Sequence, residues 1–116
     1  EDHEDKALEC AKQIALNMEE LNVEFGARGL PPIKIGIGIN SGEAIVGNMG
    51  SEQRFDYTAI GDAVNIAARL ESGTKAAGVD VLIGATTAQR TSIDLKALPA
   101  IEAKGKAEKL KVYTFK

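Results

Sequence analysis

The stretch 33–40 constrains the fold more than any other part of the chain, because isoleucine and glycine alternate along it. Isoleucine stands at positions 33, 35, 37 and 39, and glycine stands at positions 36 and 38. A period of two predicts a β-strand with one buried face. Glycine within a strand marks a place where another backbone comes close. The pattern therefore predicts a strand whose isoleucine face lies in a core and whose glycine face lies beneath a closely packed element.

A long amphipathic helix is predicted before this strand, over residues 5–25. Its apolar residues recur at spacings of three and four, which is the stripe of one helical face: Ala7, Ala11, Ile14, Met18, Leu21 and Phe25. Asp5 lies near the positive end of the helix dipole, where an acidic side chain is favourable. Gly26 and Gly29, followed by two prolines, end the helix.

A hairpin is predicted after the isoleucine strand. Ser41 and Gly42 are turn-forming residues. Residues 43–47 are therefore predicted to run back beside residues 33–40 as the second limb.

A short strand and a second helix are predicted next. Asp62 is a favourable N-cap residue, and it precedes a predicted helical segment over residues 63–72 that Gly73 ends. The strand before it runs through Phe55, Tyr57 and Ile60.

The C-terminal third predicts a strand over residues 79–83, a short helix over 88–91 and two further strands over 95–104 and 110–115. A glycine-containing turn at 105–108 joins the last two strands. The chain shows no internal repeat and no linker, so residues 1–116 predict one α+β unit.

Composition removes several classes of protein. Lys and Arg number 14 against 17 Asp and Glu, a net charge of -3, so a strongly basic nucleic-acid binder is not expected. The single cysteine, Cys10, cannot form an internal disulfide. No apolar run approaches the roughly 20 residues of a membrane helix. We expect a soluble intracellular domain without direct membrane contact.

The second helix carries the most informative polar residues. Asp62, Asn65 and Arg69 are spaced three and four apart and project from one face. One interpretation is a solvated surface with a capping aspartate. The other is an anion site, because the planar guanidinium donates to phosphate oxygens and stays charged at any working pH.

The sequence gives only weak indications of other catalytic or binding sites. The glycines at 36 and 38 do not complete a dinucleotide motif, since the next required glycine is Ser41. His3 is the only histidine, and it lacks partners at a metal-ligand spacing or in a nucleophilic triad. Lys104 and Lys106 begin a lysine-rich C-terminal segment, which either protects an edge strand from aggregation or binds phosphate.

Three separated strings, at residues 35–42, 46–51 and 57–70, together resemble the C-terminal portion of a class III nucleotidyl cyclase catalytic domain. The resemblance extends from the first helix to the last strand, including Lys104, Gly105 and Lys106. It implies a ferredoxin-like α+β fold with a mainly antiparallel sheet and packed helices. It also implies that residues 1–116 are one partial domain.

The resemblance implies conversion of ATP to 3′,5′-cyclic AMP and pyrophosphate. Asn65 would orient the ribose, and Arg69 would stabilise charge on the α-phosphoryl group. Lys104 would hold the terminal phosphates, with Lys106 as a helper. Thr58 matches the position that contacts the purine edge, and its hydroxyl resembles adenylate rather than guanylate cyclases.

The resemblance also implies components outside this chain. Two divalent cations, Mg²⁺ or Mn²⁺, would be held by two aspartates that precede the first helix, and Asp2, Asp5 and Asp56 do not stand in matching contexts. The site would form with a second protomer in a head-to-tail homodimer. We expect a cytoplasmic protein, and we expect this chain alone to be inactive or nearly so.

Two rival functions follow from the same residues. The first is a noncatalytic cyclase-like module that binds nucleotide or dimerises with an active protomer. The second is a ferredoxin-like RNA-binding domain, which is disfavoured because only 4% of residues are aromatic and such a surface needs stacking aromatics.

Overall fold

The computed structural model of the chain describes residues 2–43, 45–49, 56–102 and 109–116. Within these ranges the helices and strands follow in the order α1 (His3–Ala27), β1 (Ile37–Ile39), β2 (Ile45–Met49), β3 (Asp56–Ile60), α2 (Asp62–Ala77), β4 (Val81–Gly84), α3 (Ala85–Arg90), β5 (Leu95–Glu102) and β6 (Lys109–Phe115).

The main sheet has the strand order β1-β4-β6-β5. β1 and β4 are parallel, with Ile37 opposite Val81, whereas β6 is antiparallel to both β4 and β5. β2 and β3 form a separate antiparallel pair. Parallel neighbours require a crossover connection, and here the crossover contains β2, β3 and α2. The predicted α+β fold with a mainly antiparallel sheet is confirmed.

The glycine face of β1 lies directly beneath α2. A Cβ atom on Gly38 would be 2.5 Å from the backbone nitrogen of Glu71 and 3.0 Å from the Cβ of Leu70. Gly36 is also crowded, since a Cβ there would come against the Oγ1 of Thr74 and would be 3.1 Å from the carbonyl oxygen of Glu71. The close approach predicted from the alternating pattern is confirmed, and it brings α2 to a fixed depth on the sheet.

The isoleucine face of β1 packs toward α1. Ile37 and Ile39 contact a buried cluster formed by Leu8, Ala11, Val81 and Ile83. A second cluster on the α2 side contains Leu70, Leu82 and Val112. Neighbouring residues of β4 thus point to opposite faces of the sheet, as the strand period requires. The sheet lies between α1 and α2.

The predicted hairpin between residues 33–40 and 43–47 is wrong. β1 covers only Ile37–Ile39, and its hydrogen-bonded neighbour is β4, which begins at Val81. β2 pairs instead with β3, so that Gly47 lies opposite Thr58. Ser41 and Gly42 do lie outside helix and strand, with a bend at Gly42, but a change of chain direction does not identify the strand with which the following segment pairs.

The boundaries of α2 also differ from the prediction. Gly61 occupies the N-cap position with φ 156°, and Asp62 is the first helical residue. The helix continues past Gly73 and ends at Gly78, whose φ of 74° is left-handed. Position 73 is crowded, since a Cβ there would lie 3.2 Å from the Cδ1 of Ile101. A residue without a Cβ therefore suits this point inside the helix. The cap assigned to Asp62 is therefore wrong.

The C-terminal elements follow the prediction with small shifts. α3 begins immediately after β4 and covers Ala85–Arg90. The pairing of β5 with β6 is irregular between Leu98 and Ile101, where Pro99 has no backbone N–H to donate. In the part of the chain that the structure describes, no helix combines the length and apolarity needed to cross a membrane.

Candidate active site

Asn65 and Arg69 lie four residues apart near the start of α2. Asn65 is exposed and Arg69 is partly buried, while Leu70 beside them is fully buried in the core. Among the described residues, no side-chain hydrogen bond or ion pair engages either Asn65 or Arg69. The amide and the guanidinium are therefore both available to a ligand, and the buried inner face of α2 fixes the helix that carries them.

β3 leads directly into this helix. Thr58 lies on β3 opposite Gly47, and only Gly61 separates the last residue of β3 from the first residue of α2. The φ of Gly61, 156°, favours glycine and permits the abrupt change from strand to helix. The backbone thus connects the position predicted to contact the purine to the helix predicted to contact the ribose and phosphate.

Lys104 and Lys106, the predicted phosphate-binding residues, lie outside the described residues. The flanking segments are the paired strands β5 and β6, in which Glu102 lies opposite Lys109. The expected strand pair is thus present on either side of these lysines. Their approach to Asn65 and Arg69 stays a prediction.

The loop after β1 makes polar contacts that the sequence interpretation missed. The Nδ2 group of Asn40 donates a hydrogen bond of 3.1 Å to the carbonyl oxygen of Ala63, in the first turn of α2. The Oγ of Ser41 and the Oγ1 of Thr87 form a hydrogen bond of 2.8 Å. The only signal in the sequence is the asparagine at the end of the isoleucine–glycine stretch, and the alternating pattern predicts it only as the last residue of the strand.

A second polar cluster joins α1 to the segment after α3. The carboxylate of Asp5 accepts hydrogen bonds from the Ser92 hydroxyl at 2.6 Å, from the Ser92 backbone N–H at 2.9 Å, and from the Thr91 hydroxyl. The Ser92 and Thr91 hydroxyls and the Ser92 N–H lower the pKa of Asp5. These groups stabilise the packing of α1 and offer no open site.

Glu4 adds an ion pair to this cluster. Its carboxylate is 4% exposed and lies 2.7 Å from the Nε2 of His3 and 3.6 Å from Arg90. Among the described residues, no three His, Cys, Asp or Glu side chains come together in a way that could hold a metal ion.

An open cleft of about 530 Å³ lies at the other end of α2. Its lining includes Lys34, Glu71, Lys75 and Asp80, which are of mixed charge. Neither Asn65 nor Arg69 contributes to it. This cleft is separate from the candidate active site, which lies at the N-terminal end of the helix.

Comparison with known proteins identifies the class. Residues 1–116 match the family described as the adenylate and guanylate cyclase catalytic domain, and the chain belongs to this family. It is 38% identical over 113 residues to adenylate cyclase 1 of Rhizobium meliloti (strain 1021), covering 96% of this chain. The chain spans only 17% of the length of that relative.

Solved structures agree with this assignment. A bacterial light-regulated adenylyl cyclase superimposes with a TM-score of 0.76 at 28% identity, covering 98% of this chain and 33% of that one. The guanylyl cyclase Cya2 superimposes with a TM-score of 0.74 at 30% identity, covering 92% of this chain and 54% of that one. The cyclase catalytic fold is therefore confirmed.

Proposed function

We propose that the protein is an adenylate cyclase that converts ATP to 3′,5′-cyclic AMP and pyrophosphate in intracellular signalling. This chain carries the part of the site that binds the substrate. The observation that carries the proposal is the pair Asn65 and Arg69 on α2, one helical turn apart and without side-chain partners among the described residues. Membership of the cyclase family and the similarity to a bacterial adenylate cyclase support it.

The chemistry requires the 3′-hydroxyl of ATP to attack the α-phosphorus in line with the departing pyrophosphate. Asn65 can donate and accept hydrogen bonds, and in this proposal it orients the ribose. Arg69 stabilises the charge that develops on the α-phosphoryl oxygens. Its partial burial supports this role, because a charge removed from water interacts more strongly with a neighbouring anion.

The remaining contacts follow the resemblance. In this proposal Lys104 holds the terminal phosphates, Lys106 assists it, and Thr58 contacts the purine edge. ATP is the proposed substrate because of the hydroxyl at Thr58 and the named activity of the bacterial relative. Structural similarity alone does not decide between the purines, since one neighbour is an adenylyl cyclase and another a guanylyl cyclase.

Divalent cations supply charge neutralisation at the triphosphate in reactions of this kind. In this proposal the ligands of such ions lie outside residues 1–116, so the contribution proposed for this chain is hydrogen bonding and the charge of Arg69. We further propose that the site is completed by a second protomer in a head-to-tail homodimer, that the protein acts in the cytoplasm, and that residues 1–116 alone have little or no activity.

The test uses the full-length protein that contains this chain. Incubation with ATP and Mg²⁺ or Mn²⁺ should release cyclic AMP and pyrophosphate in equal amounts, measured by liquid chromatography and mass spectrometry. Asn65→Ala and Arg69→Ala should each lower kcat by about 10²- to 10³-fold with little change in KM, the effect of removing a transition-state donor.

Lys75→Ala is the matched control, because Lys75 is an exposed residue in the last turn of the same helix. It should keep the wild-type kcat. An Arg69→Ala enzyme with raised KM and unchanged kcat would contradict the assigned role. Binding of ATP without any release of pyrophosphate would favour the noncatalytic module instead.

A further inference from the structure

The loop that follows β1 is fixed between the starts of two helices. Asn40 donates its hydrogen bond to Ala63 of α2. Ser41 bonds to Thr87 of α3, whose side chain is fully buried. These two adjacent loop residues therefore reach different elements, and only the Asn40 contact goes to the helix that carries Asn65 and Arg69.

Close packing reinforces the contact with α2. A Cβ atom on Gly42 would lie 2.6 Å from the Cβ of Ala63, so only glycine permits the loop to approach the helix this closely. A Cβ on Gly84 would lie 3.2 Å from the Cγ of Asn40 and closer still to its Oδ1. The amide of Asn40 thus fills the space beside Gly84, and its orientation is defined on two sides.

Ala63 is in the same rigid element as the candidate active-site residues. Asn65 follows two residues later and Arg69 six residues later, which at about 1.5 Å per residue is roughly 3 Å and 9 Å along the helix axis. A shift at Ala63 is therefore transmitted to both side chains. Reactions that depend on in-line geometry are sensitive to such shifts, because a displacement of about 1 Å can cost about 10²-fold in rate.

We propose that Asn40 is a positioning residue, which sets the placement of α2 and so of Asn65 and Arg69 through its hydrogen bond to Ala63. Asn40 does not itself contact the substrate in this proposal. The inference rests on the proposed cyclase function for its catalytic consequence, while its structural part concerns α2 alone.

Asn40→Asp in the full-length protein is the most direct test. Aspartate keeps the shape of the side chain but, when ionised, has no N–H to donate to the Ala63 carbonyl. We expect kcat to fall by roughly 10- to 100-fold, with the KM for ATP changed by less than about threefold. Ser41→Ala is the matched control, since it removes a hydrogen bond from the same loop to α3, and it should keep kcat within about threefold of the wild type.

Hydrogen exchange gives a measurement that does not depend on activity. In Asn40→Asp the amides in the first turns of α2 should exchange faster than in the wild type, whereas in Ser41→Ala they should not. Gly42→Ala provides a second variant in case Asn40→Asp does not fold, because its added Cβ displaces the start of α2 without removing Asn40. It should also lower kcat without a matching rise in KM.

The outcomes separate the two proposals. If the wild-type protein makes no cyclic nucleotide, the proposed function fails, and the exchange rates still decide whether Asn40 holds α2. Wild-type kcat in Asn40→Asp or in Gly42→Ala would overturn the positioning role. A loss of kcat in Ser41→Ala as large as that in Asn40→Asp would overturn it as well. So would hydrogen exchange in α2 of Asn40→Asp that matches the wild type.

Discussion

Arg69 and Asn65 differ in their exposure, and this difference bears on what each can contribute. Arg69 is partly buried beside the core residue Leu70, whereas Asn65 is exposed. An exposed amide competes with water for every hydrogen bond that it makes, and its net contribution is modest. A partly buried guanidinium loses less to screening by solvent. We therefore expect Arg69 to have the larger effect on kcat of the two.

Thr58 is the residue on which nucleotide selectivity should depend. Replacing it with alanine removes one hydroxyl from β3, and a site built to hydrogen-bond its substrate discriminates poorly once that partner is lost. We expect Thr58→Ala to reduce the preference for ATP over GTP by at least about tenfold, measured as the ratio of the two kcat/KM values. An unchanged ratio would remove Thr58 from the purine site.

Asp5 should make the free energy of unfolding depend on pH. Hydrogen bonds from Ser92 and Thr91 lower its pKa, so they favour the charged form in the folded state. Their contribution is fully present above the pKa of an aspartate in the unfolded chain, about 3.9, and is lost as the pH falls through the lower pKa of the folded state. We expect Asp5→Asn to lower the free energy of unfolding at neutral pH.

The difference between Asp5→Asn and the wild type should shrink as the pH falls below about 4, measured by urea denaturation across a pH series. Asp80→Asn is the control, since Asp80 is an exposed aspartate outside the cluster around Asp5. If the difference in free energy of unfolding between Asp5→Asn and the wild type stayed constant down to the lowest pH, the lowered pKa of Asp5 would not be its cause.

The packing of α2 on β1 is the contact between elements that matters most for the site. Gly38→Ala would place a methyl group against the backbone of Glu71, and overpacking of this kind costs about 1–3 kcal/mol. Gly26→Ala makes the same chemical change in α1, where nothing lies within 4 Å of the added Cβ. It should stabilise the protein by roughly 0.5–1 kcal/mol because alanine is a better helix former.

Thermal and denaturant unfolding of the two variants measure the expected destabilisation by Gly38→Ala and the expected stabilisation by Gly26→Ala. Activity should fall with Gly38→Ala, since α2 must move away from the sheet. If both glycine variants unfolded at the wild-type denaturant concentration, close packing of α2 on β1 would not hold in solution.

The elements show what a sequence does and does not define. The alternation at residues 33–40 predicted the close approach of another element and part of the strand, because each residue's contribution to a strand face is local. The strand itself covers only Ile37–Ile39, and Ile33 is exposed rather than in the core. The partner strand could not be predicted in the same way. β1 pairs with β4 more than forty positions later in the chain, and no local property of residues 41–47 encodes that choice.

The candidate site was predictable to a similar extent. Asn65 and Arg69 could be assigned to one helix face from their spacing alone, and the structure places both on α2 without side-chain partners among the described residues. The Asn40 contact was not predicted, since it joins residues 23 apart across two elements. The end of α2 was not predicted either. Gly73 lies inside the helix near Ile101, and a contact between residues so far apart in the chain is not visible in the local sequence.

At the scale of the whole molecule, the chain is more extended than a compact domain. Its radius of gyration is 16.0 Å, against about 13 Å for a compact domain of 100 residues. Apolar side chains remain exposed, including Val23 on α1 at 74% and Ile45 on β2 at 68%. Exposed apolar side chains mark an interaction surface only where they form one contiguous patch.

The proposed homodimer predicts an effect of dilution. If the active site forms only between two protomers, the specific activity of the full-length protein should fall when it is diluted below its dissociation constant, because association follows mass action. The measurement is cyclic AMP production over a series of protein concentrations, with the oligomeric state followed by light scattering. Constant specific activity in a protein shown to be monomeric would contradict the proposed partner.

The crowded glycine face of β1 has a consequence for how such a sequence can drift under selection. The isoleucines at 37 and 39 face a cluster of aliphatic side chains, in which exchange among aliphatic residues of similar volume is tolerated. Positions 36 and 38 admit no such exchange, since any side chain would strike α2. Descendants of this chain should therefore vary at every second position along the strand and stay invariant between them, wherever α2 must still present Asn65 and Arg69.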